Sequence, residues 1–291
     1  MQTCVNSIKL FIFLYLNGAF GTFWGVTLTF DPLLIVNHTM IKQIPNLLTL
    51  LNLFFGCMAI TAAMQHGIIT SYDANTGQEV LVIPEKIYLA SLFIGIAAVI
   101  DFFDGFVARL FGASSELGKQ LDSLSDVVSF GVAPGIIVYQ FLQLSIARHD
   151  NGLDASTLWL LPAFIIPCAG AYRLGRFNLD NSQSTVFKGV PIPAAGLVIA
   201  SFPLIYWYSN TNALNNILTN EWFWYAVIFI ISYLMVCTLP MKALKFKGLS
   251  FKVLLPFIII LGVAIAVAFV AGWVAVPVGF LTYVIVSLIF K

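Results

Sequence analysis

The chain has 291 residues, 60% of them hydrophobic and 9% charged, with a formal net charge of +1 and a mean hydropathy of +0.95. So apolar a composition excludes an ordinary soluble domain, and a near-neutral charge excludes bulk attraction to nucleic acid. The class it predicts is all-α: a polytopic transmembrane helical bundle.

Residues 1–39 fit that pattern poorly. They hold an apolar run at about 10–30, containing Gly18 and Gly21, that reads as a ninth span, a signal-like segment or sequence upstream of the true start. Met40-Ile41-Lys42-Gln43 has the character of a start, a short basic head before an apolar span, so a native start at Met40 is expected. Beyond it lie eight stretches near the length that crosses a bilayer core of about 30 Å. They are roughly 47–65, 87–106, 121–144, 157–177, 190–208, 222–240, 252–271 and 273–290. The resulting division is an N-terminal extension (1–39), a six-span core (40–240), and a basic loop followed by a tight transmembrane hairpin (241–291).

The connection 66–86 contains Asn75-Thr76-Gly77, a turn signal between β-prone stretches. A plain polar loop is preferred there over a small hairpin. With residue 44 on the cytoplasmic side, eight spans put eleven of the fourteen Lys and Arg on that side. Lys86 and Arg148 fall opposite and Lys9 is unassigned. This is the positive-inside bias of a plasma-membrane protein. Cys4, Cys57, Cys168 and Cys237 lack metal-site spacing and read as packing residues; His38, His66 and His149 fall near loops.

Five of the thirteen acids, four of them aspartates, stand in the run DFFDGFVARLFGASSELGKQLDSLSD, residues 101–126. Acids beside apolar spans are costly to keep ionised and mark function by default. Asp101 and Asp104 are three apart, Asp122 and Asp126 four apart, so each pair shares a helix face. The intervening turn lets the pairs converge. Four converging carboxylates repel unless cations lie between them, and carboxylate oxygens suit hard divalent ions. Two such ions a few ångströms apart suit in-line attack on phosphorus. Gly105, Ala108 and Gly118 permit close approach of a ligand, and Arg109 offers a planar fork to phosphate.

The pattern Asp101-x2-Asp104-Gly105-x2-Ala108-Arg109-x8-Gly118-x3-Asp122-x3-Asp126 resembles, at every fixed position, the signature of the CDP-alcohol phosphatidyltransferase family. The resemblance implies an integral membrane enzyme of six or more helices, homodimeric, with a polar cavity open to the cytoplasm. A CDP-linked lipid would donate its phosphatidyl group to an alcohol and release CMP. Asp101, Asp104 and Asp122 would ligate Mg2+ or Mn2+, two ions in all; Asp126 would complete the metal site and act as general base. A carboxylate held by metal is a weak base, so the metal's lowering of the acceptor's pKa stays open as the alternative.

Further segments resemble bacterial, membrane-integral phosphatidylserine synthases: IPNLLT at 44–49 with LLNLFFG at 50–56, GAYRLGRFN at 170–178, and FKGVPIPAA at 187–195. Gly175 and Val190 stand where Ala and Leu are commoner, and no basic residue closely follows Val236. The acceptor implied is L-serine and the donor CDP-diacylglycerol, in the bacterial inner membrane. Serine carries a carboxylate that needs a cation. Arg173 and Arg176 share a helix face and Lys188 is near in sequence, so these are the candidate acceptor and phosphate ligands. Asn46 and Thr49 share a face at the entry of the first span, where the resemblance places the CDP moiety.

Two rival readings differ. A transferase of the same family with glycerol 3-phosphate or an inositol-type acceptor would need a differently charged acceptor pocket. A divalent-cation transporter would use the acids as a filter, but Arg109 inside a cation path would oppose it.

Overall fold

The computed structural model describes residues 43–65, 67–72, 77, 79–113, 115–149, 152–180, 186–209, 211–242 and 251–289. All lie in one compact unit, Ile41–Lys291. The expected start at Met40, the extension 1–39, and Asn75-Thr76 fall outside the described residues.

Helix α1, Ile44–Met64, begins with Pro45 in its first turn, where a missing N–H costs nothing. At 1.5 Å per residue its 21 residues reach about 31 Å, enough for a bilayer core. Its buried face is a run of small or short side chains that lets neighbouring backbones come close. A Cβ at Gly56 would lie 2.3 Å from Ser129 Oγ and 2.9 Å from Ser129 Cα. Leu47, Leu50 and Phe54 cover the outward face.

Strand β1, Ile69–Tyr72, pairs antiparallel with β2, Glu79–Val82, in place of the expected plain loop. A two-stranded ribbon is marginal by itself, and tertiary contacts clasp this one. Arg148 donates to the Leu81 carbonyl from Nε at 3.2 Å and Nη2 at 2.8 Å, and Tyr72 donates to Glu79 Oε1 across the strands at 2.9 Å.

Helix α2, Tyr88–Leu110, runs antiparallel to α1: Phe55 meets Phe93, and Thr49 meets Asp104. The chain turns at Gly112, whose φ of +57° suits glycine. Helix α3, Glu116–Asp126, starts at Ser115, whose Oγ accepts from Gly118 N at 3.0 Å. Directly after Asp126 the helix widens into a π turn, Val127–Val132, before α4, Ala133–Ala147. Such turns are rare and frequent at functional sites.

Helix α5 is Ile165–Leu179, and β3, Val186–Lys188, leads to α6, Ile192–Tyr208. Helix α7, Asn212–Leu218, and α8, Glu221–Val236, meet at a bend of 69°. Strand β4, Pro240–Lys242, pairs with β3. Helix α9, Phe251–Ala271, and α10, Ala275–Ile289, close the chain. The core between α4, α6 and α8 is aromatic: Phe141 stacks on Trp224 at 4.8 Å, and Trp224 Nε1 donates to the Leu218 carbonyl at 2.8 Å.

The protein is an all-α integral membrane bundle, and each of the eight predicted segments is helical. By length and apolarity, five helical stretches can cross a membrane, or six with the bent pair. The difference from eight has two sources. The stretch Leu255–Ile289 counts as one span yet turns back at Gly272, and Ala264 lies against Gly279. Ile192–Tyr208 and Glu221–Val236 have only 17 and 16 residues, about 25 Å of helix. Cys57 and Cys168, expected to pack inside, are exposed on the bundle surface. His149 Nε2 pairs with Glu221 Oε2 at 2.9 Å.

At the junction of α5, β3 and α8 the backbones pack closely. Gly189 has φ +78°, and a Cβ there would lie 2.5 Å from the Met235 carbonyl and 2.8 Å from that of Cys237. Gly189→Ala is therefore expected to destabilise the fold by ~2–4 kcal/mol, read as a lower melting temperature in detergent.

Candidate active site: an acid cage beside a polar cavity

The paired spacing of the acids becomes geometry because α2 and α3 meet at the short turn around Gly112. Asp101, Asp122 and Asp126 each offer one carboxylate oxygen, and these oxygens all lie within 4.8 Å of one another. The carboxyl groups of Asp101 and Asp126 are neighbours in this cluster. Asp126 Oδ1 is buried without a hydrogen-bond partner. Asp104 stands one turn along α2, where Thr49 Oγ1 donates to its Oδ2 at 2.9 Å. Helix α1 is thus the third wall, held to α3 by Ser125 Oγ, which donates to the Thr49 carbonyl at 2.9 Å.

Carboxylates this close repel unless positive charge lies among them. An all-oxygen donor set with an orphaned buried oxygen fits a hard divalent cation such as Mg2+ or Mn2+. Thr49→Val keeps the shape of the side chain and removes the O–H directed at Asp104. The expected loss is about tenfold in kcat/KM, the equivalent of ~1.4 kcal/mol for a hydrogen bond to a charged group. Turnover by the purified protein would measure it.

Beside the cage opens a cavity of about 490 Å³. Asn46 and Thr49 line it from α1, Asp104, Gly105 and Ala108 from α2, and Gly118 and Asp122 from α3. Asp104 and Asp122 therefore face the cavity, and Asp122 belongs to the cage as well. The two glycines serve differently. A Cβ at Gly105 would meet nothing within 4 Å and would occupy cavity space. A Cβ at Gly118 would press on Asn46 Oδ1 at 2.9 Å. Arg109 is exposed and outside the lining, its Nε donating to the Gly105 carbonyl one turn back at 2.9 Å.

Four further lining residues, Pro45, Ala113, Ser115 and Glu116, were not singled out in the sequence, and Lys119 counted there only among the cytoplasmic-side cations. Ser115 carried a signal, being a hydroxyl residue directly before a helical run. Lys119 carried another, one turn before Asp122 on the same face. Its Nζ donates to the Asn178 carbonyl at 3.2 Å, and Asn178 Nδ2 donates to Ser123 Oγ at 2.7 Å, which ties α3 to α5.

The three cations beyond the cage sit in three different environments. Arg173 is 6% exposed, its guanidinium carbon 5.3 Å from the Phe177 ring centre. Its Nε has no hydrogen-bond partner, and it lies within electrostatic reach of Asp126 and Tyr283. Arg176 is instead engaged with backbone. Its Nη1 donates to the Val236 carbonyl at 2.8 Å, and its Nη2 to the carbonyls of Cys237 at 3.1 Å and Lys188 at 3.4 Å. The carbonyls of Val236 and Cys237 are orphans at the end of α8, and that of Lys188 belongs to β3. Lys188 Nζ pairs with Asp180 Oδ2 at 2.7 Å.

The family model for CDP-alcohol phosphatidyltransferase matches residues 42–285. The CDP-diacylglycerol–serine O-phosphatidyltransferase of Bacillus subtilis is 36% identical over 169 residues, which is 55% of this chain and 76% of that protein. The archaetidylserine synthase of Methanothermobacter thermautotrophicus is 32% identical over 177 residues, 60% of this chain and 64% of the relative. A CDP-diacylglycerol–serine O-phosphatidyltransferase of Helicobacter pylori is 32% identical over 157 residues, 53% of this chain and 54% of the relative. Against the last two, the chain spans less than two thirds of the relative's length.

Proposed function

Because the chain belongs to the CDP-alcohol phosphatidyltransferase family, we propose that it transfers the phosphatidyl group of CDP-diacylglycerol to the hydroxyl of L-serine. The products are phosphatidylserine and CMP. One observation carries the reading: three carboxylates within 4.8 Å stand at the edge of a cavity built from the small and polar residues of the motif. The names of the relatives favour serine, and so does a buried guanidinium with an unpartnered Nε within electrostatic reach of Asp126.

In this reading the donor's cytidine and diphosphate occupy the cavity. Asn46 and Thr49 face the nucleotide, Gly105, Ala108 and Gly118 leave room for it, and Arg109 flanks the entrance. Asp101, Asp104, Asp122 and Asp126 would hold two Mg2+ or Mn2+ ions, whose charge would offset that of the diphosphate and of the leaving group. Arg173 pairs the serine carboxylate. Arg176 and Lys188 hold the segment behind it. Asp126, buried with an unpartnered Oδ1, takes the proton of the serine hydroxyl as its oxygen attacks the phosphatidyl phosphorus. The new O–P bond forms in line with the P–O bond to CMP, which breaks with its electron pair on CMP.

The six-span region 40–240 carries this chemistry and 241–291 adds the last helical pair. The protein acts as a homodimer in the bacterial inner membrane with the cavity facing the cytoplasm, as the positive-inside bias supports. The deciding experiment is CMP release by purified protein from CDP-diacylglycerol with L-serine, glycerol 3-phosphate or inositol, with and without Mn2+. Release with serine and Mn2+ is expected. Release only with glycerol 3-phosphate or inositol would replace the acceptor. Mn2+ flux in liposomes without CMP release would favour a transporter.

A further inference from the structure

The buried face of α1 runs Pro45, Thr49, Asn52, Gly56, Ala59 and Ala63. Asn52 is fully buried, and neither its Nδ2 nor its Oδ1 has a hydrogen-bond partner. Its backbone is satisfied, with Ser129 Oγ donating to the Asn52 carbonyl at 3.0 Å. A carboxamide carries two donors and two acceptor lone pairs. Buried polar atoms are almost always paired, with protein or with ordered water. A fully buried amide idle at both ends points to a partner outside the chain.

Helix pairing shows where that partner lies. Thr49 touches Asp104, and α1 and α2 are antiparallel. One turn forward from Thr49 to Asn52 is therefore level with one turn back from Asp104 to Asp101. On the other flank α3 and its π turn run parallel to α1, with Ser125 bonded to the Thr49 carbonyl and Ser129 to that of Asn52. Asn52 thus stands at the depth where Asp101 and Asp126 meet, and Asp126 Oδ1 is unpartnered too.

From this juxtaposition we propose that Asn52 is a positioning residue of the cation site. Its carboxamide forms the floor of the acid cage and hydrogen-bonds the water that a hard divalent ion retains there. Mg2+ in particular gives up its waters reluctantly and keeps several when bound. The inference rests on Asp101, Asp122 and Asp126 being cation ligands.

The test uses the full chain in detergent, without lipid substrates, titrated with Mn2+ while the free ion is followed by electron paramagnetic resonance. Asn52→Leu keeps the volume and removes both polar atoms. It is expected to weaken Mn2+ binding about 10- to 100-fold, the usual effect of losing an outer partner. The metal-free melting temperature should not fall, since no hydrogen bond within the chain is lost. Affinity equal to the parent's overturns the proposal. Should Asn52→Leu fail to fold, Asn52→Ser and Asn52→Ala carry the comparison; tighter binding by the serine variant is expected, and equal binding overturns the proposal. A parent chain that binds no Mn2+ removes the cation reading and this inference together. A parent that binds, with Asn52→Leu binding equally, removes only Asn52.

Discussion

With Asp122 replaced by Asn, CMP release from CDP-diacylglycerol is expected to fall at least ~10³-fold, about 4 kcal/mol of lost transition-state stabilisation. Asp122 alone among the four acids both contributes an oxygen to the three-carboxylate cage and faces the cavity together with Asp104. It joins the place where cations are held to the place where a diphosphate fits. Asn keeps the size and one oxygen but removes the charge, so a large loss reports electrostatics rather than shape. The metal-free fold should be as stable as the parent's or more so, because one of several crowded like charges is gone. The two readouts are CMP release at saturating Mn2+ and the melting temperature without metal. Turnover within tenfold of the parent would show that the cage does not act on the diphosphate. Loss of turnover with a collapsed melting temperature would show only that Asn is not tolerated in the helix.

The acid motif was legible in the sequence because it is local. All eight fixed residues lie within 26 positions, and helical spacing of three and four carries each pair to one face. Its surroundings were less legible because they are not local. Thr49 reaches Asp104 across 55 positions, and Ser125 and Ser129 reach the α1 carbonyls across 76 and 77. No periodicity encodes such pairs. Asn52 reads as one polar residue in an apolar span until antiparallel packing sets it level with Asp101. The eight helical segments followed from apolar length, but the two shorter than a full crossing and the bend before α8 depend on packing. The ribbon of β1 and β2 is not legible in the sequence, because its anchor, Arg148, lies 67 positions from Leu81. Arg173 and Arg176 share a face, as their spacing requires, yet neighbours from α8 divide their surroundings: Val236 and Cys237 engage one guanidinium and leave the other beside Phe177.

That division makes the second large effect. Arg173→Gln is expected to raise the KM for serine about 100-fold or more while the KM for CDP-diacylglycerol changes only a few-fold. A buried, charge-assisted pair between guanidinium and carboxylate costs ~2–5 kcal/mol when one partner is truncated, and 100-fold corresponds to about 2.7 kcal/mol. The same change in Arg176 should act on the fold. Three carbonyls lose their donor in Arg176→Ala, so its melting temperature should drop while the surviving protein keeps a near-parental KM for serine. Ethanolamine completes the argument, since it has the hydroxyl and the ammonium of serine without the carboxylate. If Arg173 reads the carboxylate, the parent prefers serine strongly over ethanolamine and Arg173→Gln loses most of that preference. An unchanged preference would move the acceptor site away from Arg173, because a side chain that pairs the carboxylate cannot be removed without narrowing the gap between the two alcohols.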